Sequence, residues 1–130
     1  MLFRSSPNLM TPAEQKQVVD QLVKLQRTDG GWSLSDLGNW MRIDMSELET
    51  RPDGYATGLV VLTLESLEAG ARPRQAIAKG LAWIRSAQEP DTGKWPAWSI
   101  NKQRDPKSGI GLFMSDAATG YAVLALEAAK

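Results

Sequence analysis

The chain of 130 residues repeats itself once at an interval of about 62 residues, and this repeat constrains its fold more than any other feature. Identical residues recur at this spacing: Gln26 and Gln88, Ala56 and Ala118, Thr57 and Thr119, Gly58 and Gly120, Leu64 and Leu126, Glu65 and Glu127. Trp32 and Trp95 are 63 residues apart, because one residue is inserted before Trp95. Self-similarity of this kind is typical of stacked supersecondary units. We therefore predict one domain over residues 11–130, with a first unit at 11–72 and a second at 73–130.

Each unit is predicted to form two helices joined by a long loop. In the first unit, Thr-Pro-Ala-Glu at 11–14 is typical of a helix start, and apolar residues at helical spacing follow it. The turn residues at 28–31 end this helix. A second helix is expected from about residue 55 to 69, stopping at Gly70 as its C-terminal cap. Residues 1–10 are predicted to be disordered or truncated.

The second unit repeats the same order of elements. A helix is expected over about residues 73–88, with apolar side chains on one face. A long loop over about 89–114 follows, and a last helix is expected from Ser115 and Asp116 to the chain end. The two loops are longer than the two to eight residues usual between packed helices, which favours a functional role for them.

The second helix of each unit is apolar on nearly every face, over residues 56–64 and 118–126. A helix of that kind is buried, whereas the first helix of each unit is amphipathic and belongs on the outside. Alternation of outer and inner helices is the pattern of an α/α barrel. The expected fold is therefore all-α, a partial α/α toroid of two helix–loop–helix repeats with about four main helices.

The composition excludes several kinds of chemistry. The chain has no Cys and no His, so Cys or His zinc sites, thiol nucleophiles and histidine acid–base catalysis are excluded. Fifteen basic and fifteen acidic residues give zero net charge, which argues against a nucleic-acid partner. No signal peptide is visible and no apolar run reaches the length of about 18–20 residues that a membrane span needs, so no transmembrane segment is expected and the compartment is unknown.

The second unit carries a motif that resembles the QW repeat of squalene–hopene cyclases. Lys79-Gly80 is followed by Trp83-Ile84 and Gln88, and then by Gly93 and Trp95, with one extra residue before Gly93. The first unit keeps a shorter form of the motif with Gln26, Gly30 and Trp32. The chain thus resembles the terpenoid cyclase and protein prenyltransferase α/α-toroid superfamily over about residues 11–130.

The resemblance implies structural roles for the motif residues. Gln26 and Gln88 are expected to bond near helix ends, and the Trp residues to stack on them, with Gly30 and Gly93 in the intervening turns. It also implies an apolar isoprenoid-type ligand and no cofactor. The Asp-x-Asp-Asp acid motif of these cyclases is absent, and so are the zinc ligands of the prenyltransferases. No catalytic residue and no metal ligand is therefore assigned.

Five side chains near the two long loops are candidates for contacting a ligand: Asp53, Tyr55, Trp98, Phe113 and Asp116. The two carboxylates precede the expected inner helices, so they are either cavity carboxylates or helix caps. The aromatic rings could stabilise a cation, or could simply pack the loops onto the end of the barrel. A site, if present, is expected at residues 33–54 and 96–114.

Three interpretations of function remain open at this level. The chain is a cyclase-like domain that binds an apolar ligand, a non-catalytic helical scaffold for protein interaction, or part of an α/α-barrel polysaccharide lyase. Two helix pairs cannot close a ring and would leave an apolar flank of the inner helices exposed. We therefore expect a C-terminal fragment of a longer protein with additional repeats, or self-association.

Overall fold

The computed structural model describes residues 9–130, which are all-α with no strand in that part of the chain. Four helices carry the fold: α1 (Pro12–Leu25), α2 (Gly54–Glu65), α3 (Arg74–Ala87) and α4 (Gly109–Ala128). Two short 3-10 turns lie between them, at Leu34–Leu37 and Ala69–Ala71. The prediction of an all-α fold with about four main helices is confirmed. The expected disorder or truncation of residues 1–10 lies mostly outside the described residues.

Helix α1 begins where its sequence predicts. The Thr11 hydroxyl accepts a hydrogen bond from the backbone N–H of Glu14 at 3.1 Å, and Pro12 occupies the first helical position. The helix ends at Leu25, and none of its residues is fully buried. Its apolar side chains Val19 and Leu22 are half-buried against the core, so α1 lies on the outside.

Helix α2 is shorter than expected. It ends at Glu65 with Ser66 as its C-terminal cap, not at 69, and Gly70 falls in the following 3-10 turn. The Ser66 N–H and hydroxyl both bond to carbonyls of the last turn, and these bonds close the helix early. Gly70 therefore does not act as the helix cap.

Helix α4 begins six residues earlier than the sequence predicts, at Gly109 and not at Ser115. The Ser108 hydroxyl accepts from the N–H of Gly111 at 3.1 Å and caps the helix. Two glycines, Gly109 and Gly111, made this stretch resemble a loop. Gly111 is buried against the backbone of Asp105 and Pro106, where a side chain would not fit, so its lack of a side chain serves packing.

The core lies between α2, α3 and α4. Seven of the twelve residues of α2 are buried, and its fully enclosed side chains include Val61 and Leu64. Ile84 of α3 and the small residues Ala118, Ala122 and Ala125 of α4 close the core from two sides. Trp32 and Trp95 are also buried in this core. The inner position predicted for α2 is thus confirmed.

One face of α4 remains uncovered by the described residues. Its exposed side chains include Ile110, Phe113, Val123 and Leu124. This is the apolar flank expected from the sequence, but the burial expected over residues 118–126 is wrong for most of that range, because only Ala118, Ala122 and Ala125 there are buried and no described residue covers the opposite face. Helix α4 is also long and apolar enough to cross a membrane by length and composition alone, which the sequence analysis did not anticipate. A single helix of this kind is weak evidence for a span.

Candidate functional site

Equivalent residues make the same hydrogen bonds inside each of the two units. The indole N–H of Trp32 donates to the carbonyl of Leu22 at 2.7 Å, and that of Trp95 donates to the carbonyl of Ile84 at 2.7 Å. Each carbonyl belongs to the fourth residue from the end of its helix, so no backbone N–H group of that helix bonds to it. The buried indoles thus satisfy groups that would otherwise be unpaired.

Each Trp is also tied to the inner helix of its unit. The backbone N–H of Trp32 donates to the Thr57 hydroxyl at 2.9 Å, and that of Trp95 donates to the Thr119 hydroxyl at 3.2 Å. This pair of bonds explains why the two threonines recur at the same interval. Each unit therefore links the end of its outer helix to its inner helix through one tryptophan.

The glutamines of the motif close the turn that leads to each Trp. Gln26 donates to the carbonyls of Gly30 and Ala76, both at 2.9 Å, so it joins the end of α1 to the first turn of α3. Gln88 donates to the carbonyl of Gly93 at 2.9 Å, and within residues 9–130 it makes no second bond like that of Gln26 to α3. The expected bonding near helix ends is confirmed for Gln26, while the stacking of Trp on Gln remains a prediction.

Gly30 and Gly93 both take the left-handed backbone conformation, with φ of 97° and 72°. Glycine is the residue that adopts this conformation most readily. At Gly30 the need is doubled, because a side chain would collide with the backbone carbonyl of Lys79 in α3. The two glycines therefore let each turn reach its tryptophan.

A buried arginine joins the two long loops into one surface. Arg42 is only 4% exposed, and its guanidinium donates to the carbonyls of Ser99 and Glu47. The backbone N–H of Ile43 also donates to the carbonyl of Asn101 at 2.8 Å. These contacts bring together the two segments, 33–54 and 96–114, at which the sequence analysis expects a site. Arg42 is not among the five candidate residues predicted from the sequence.

An apolar cavity of about 230 Å³ opens at this end of the molecule, and we call it the aromatic cavity. It is lined by both loops and by the inner helices: Leu34, Tyr55, Ala97, Trp98, Ser99, Ile100, Phe113, Met114 and Ala117. Three of the five predicted ligand-contacting residues, Tyr55, Trp98 and Phe113, are therefore brought together here. The aliphatic lining residues were not predicted, because only the folded loops reveal that they share a wall.

The aromatic rings of the cavity are held in defined positions. Tyr55 meets Tyr121 edge to face, with ring centroids 5.0 Å apart. The Trp98 ring lies under the guanidinium of Arg51 at 4.3 Å, and its indole N–H points to the carbonyl of Pro52. Phe113 is 72% exposed and stands at the mouth, on the first turns of α4 and not in the loop where the sequence placed it.

Asp53 lies outside the cavity and caps α2. Its carboxylate accepts from the N–H groups of Ala56 and Leu34, both at 2.7 Å, and only 1% of the residue is exposed. Burial raises the pKa of Asp53 to about 6, although the bonds from backbone N–H groups lower it. Of the two alternatives left open by the sequence, the geometry is that of the cap.

The expectation that Asp116 precedes an inner helix is wrong. It lies inside α4, because that helix starts early, and its exposed carboxylate pairs with the ammonium of Lys94 at 2.8 Å. Ser115 takes the place equivalent to Asp53, and its hydroxyl donates to the carbonyl of Trp95 at 3.0 Å. Asp116 therefore neither caps a helix nor lines the aromatic cavity.

Within residues 9–130 no three acidic side chains come close enough together to hold a metal ion. Comparison of the chain with protein-family models, with curated proteins and with solved structures finds no match.

Proposed function

We propose that the chain is a terpenoid-cyclase-like helical repeat domain that binds an apolar, isoprenoid-type ligand in the aromatic cavity and carries no complete catalytic set. One observation supports this proposal above the others. Tyr55, Trp98 and Phe113, selected from the sequence as ligand contacts, line the same cavity. The repeated Gln-Gly-Trp turns fit a unit of a larger α/α toroid, and so they support the same proposal.

The volume of the cavity limits what it can hold. Ligand sites for drug-sized molecules usually enclose about 300–1,000 Å³, and the aromatic cavity encloses about 230 Å³. It therefore suits a short isoprenoid, or one end of a longer chain whose remainder extends past Phe113. Apolar walls and few polar groups give affinity by removing hydrocarbon from water.

Farnesol, a neutral isoprenoid alcohol, is a suitable probe. Saturating farnesol should raise the melting temperature, since a ligand at about 100 times its Kd stabilises the folded state by about 2.7 kcal/mol. The variant Ala117→Phe should fill the cavity and abolish the shift. Ala128→Phe, on the same helix but away from the cavity, should retain it. No shift in the wild-type protein at saturation would contradict the proposal.

A second candidate function is a non-catalytic scaffold, and the uncovered face of α4 favours it. In the first unit, Gly58 lies against the backbone of Tyr121, with 2.6 Å between the position of an added Cβ and the Tyr121 carbonyl carbon. Its equivalent Gly120 has no atom within 4 Å of that position. The face of α2 around Gly58 packs on the second unit, and the equivalent face of α4 around Gly120 is open. We propose that a repeat unit from a second copy of the chain packs on this open face.

A further inference from the structure

A second pocket lies beside the aromatic cavity, and its lining is strongly cationic. It encloses about 190 Å³ and shares Ala97, Trp98, Ser99 and Met114 with the aromatic cavity. Its charged lining residues are three arginines and one carboxylate: Arg42, Arg51, Arg104 and Glu49. We call it the arginine pocket. An apolar and a cationic pocket are thus separated only by a shared wall.

Arg104 is the group in this pocket that lacks a partner. Its Nε is shielded from solvent and forms no hydrogen bond within the described residues. No ion pair of Arg104 is present there either, although the guanidinium carries up to five donors. Shielded polar groups in folded proteins are nearly always hydrogen-bonded, to protein atoms, water or a bound group, so the unpaired Nε of Arg104 is a donor available to an acceptor that binds there.

The other charges of the pocket do not supply that acceptor. The carboxylate of Glu49 is engaged by Arg51, with Oε2 at 3.2 Å from Nη2. The guanidinium of Arg42 bonds to neutral carbonyls and to the Ser46 hydroxyl, and the acidic group that interacts with it is Asp44, which does not line the pocket. Three guanidinium groups and one carboxylate thus line the pocket, and with the adjacent carboxylate of Asp44 counted, the positive charges still exceed the negative ones by one.

From this arrangement we infer that the two pockets bind one amphiphile, with its hydrocarbon chain in the aromatic cavity and an anionic oxygen headgroup, a carboxylate or a phosphate, in the arginine pocket. Guanidinium groups pair with such oxyanions through charge-assisted hydrogen bonds. The shared wall at Trp98 and Ser99 brings the two ends of the ligand together. The inference rests on the proposed function, because it assigns the headgroup of the ligand proposed for that cavity.

The test compares ligands that share one chain and differ in charge. We expect farnesoate to bind about tenfold more tightly than farnesol by titration calorimetry. Arg104→Gln should remove most of that difference and leave farnesol binding unchanged. The matched control Lys102→Gln alters an exposed cation of the same loop that does not line the pocket, so it should keep the difference. Circular dichroism would verify that each variant is folded.

The possible outcomes separate the inference from the proposal on which it rests. If farnesol binds and neither farnesoate nor farnesyl monophosphate binds more tightly, the role inferred for the arginine pocket is overturned, while the role proposed for the aromatic cavity stands. Binding of none of these ligands would overturn both. An undiminished difference in Arg104→Gln would also overturn the inference. A gain for either anion that depends on Arg104 supports it, and the larger gain identifies the preferred headgroup.

Discussion

Single residues in this protein act mainly by satisfying backbone groups that the helices leave unpaired. The indole N–H groups of Trp32 and Trp95 donate hydrogen bonds to equivalent carbonyls near the ends of α1 and α3. The carboxylate of Asp53 accepts hydrogen bonds from two backbone N–H groups, one at the start of α2 and one at Leu34. These groups are buried or partly buried, and leaving a buried one unpaired costs about 1–3 kcal/mol.

The buried carboxyl of Asp53 should make stability depend on pH. Its pKa is about 6 in the folded state against 3.8 in the unfolded chain, so the folded state binds the proton more tightly. That contribution, at most about 3 kcal/mol, is fully present below pH 3.8 and is lost as pH rises to about 6. Asp53→Asn keeps an acceptor oxygen but cannot ionise.

Urea unfolding of the wild type and of Asp53→Asn between pH 3.5 and 7 would measure this effect. The free energy of unfolding of the wild type should fall relative to that of the variant between pH 3.8 and 6, and then run parallel to it. Burial also raises the pKa of Glu65 to about 6. Because Glu65 is present in both proteins, its contribution cancels in the comparison. Parallel curves over the whole range would contradict the assignment.

At the scale of elements, two equivalent glycines lie in opposite environments. Gly58 of α2 lies against the backbone of α4, whereas Gly120 of α4 faces open space. Gly58→Ala should destabilise the protein by about 1–3 kcal/mol, since the added methyl group meets backbone that cannot move aside easily. Gly120→Ala should stabilise it by up to about 1 kcal/mol through helix propensity.

Urea unfolding at low protein concentration would measure both changes. The two variants add the same methyl group to equivalent positions, so each is the control for the other. Equal effects of the two substitutions would show that Gly58 does not mark a close contact between α2 and α4.

The sequence predicts the elements well where local signals agree with the packing. Thr11 and Pro12 set the start of α1, and the apolar run of α2 predicts its burial. The start of α4 was missed because Gly109 and Gly111 have low helix propensity, while the Ser108 cap and the contact of Gly111 with Asp105 compensate. The aromatic cavity was predicted only in part, since its aliphatic lining depends on how the loops fold back.

At the scale of the whole molecule, the loops are joined to each other through Arg42, whereas one face of α4 has no packing partner. Arg42 joins both loops at one end of the molecule, and no local pattern predicts this, because its partner in the second loop, the carbonyl of Ser99, lies 57 residues away in the sequence. Helix α4 leaves the other surface open. Exposed apolar patches of this kind commonly mark interaction sites.

The open face of α4 should determine the association state. We expect the protein to associate at micromolar concentrations through this face, and Val123→Lys, an exposed site beside Gly120, should shift it to the monomer. Val23→Lys, at an exposed site on α1, is the matched control. Sedimentation equilibrium would measure the molar mass. A wild-type protein that stays monomeric at high concentration, or that binds lipid vesicles through α4, would contradict self-association.

Helix α1 contains no fully buried residue, although it is as long as α3. Local opening free energies follow burial, so its amides should exchange with deuterium long before those of α2. The aromatic cavity takes none of its lining from α1. Helix α1 can therefore open and close locally while the aromatic cavity keeps its shape.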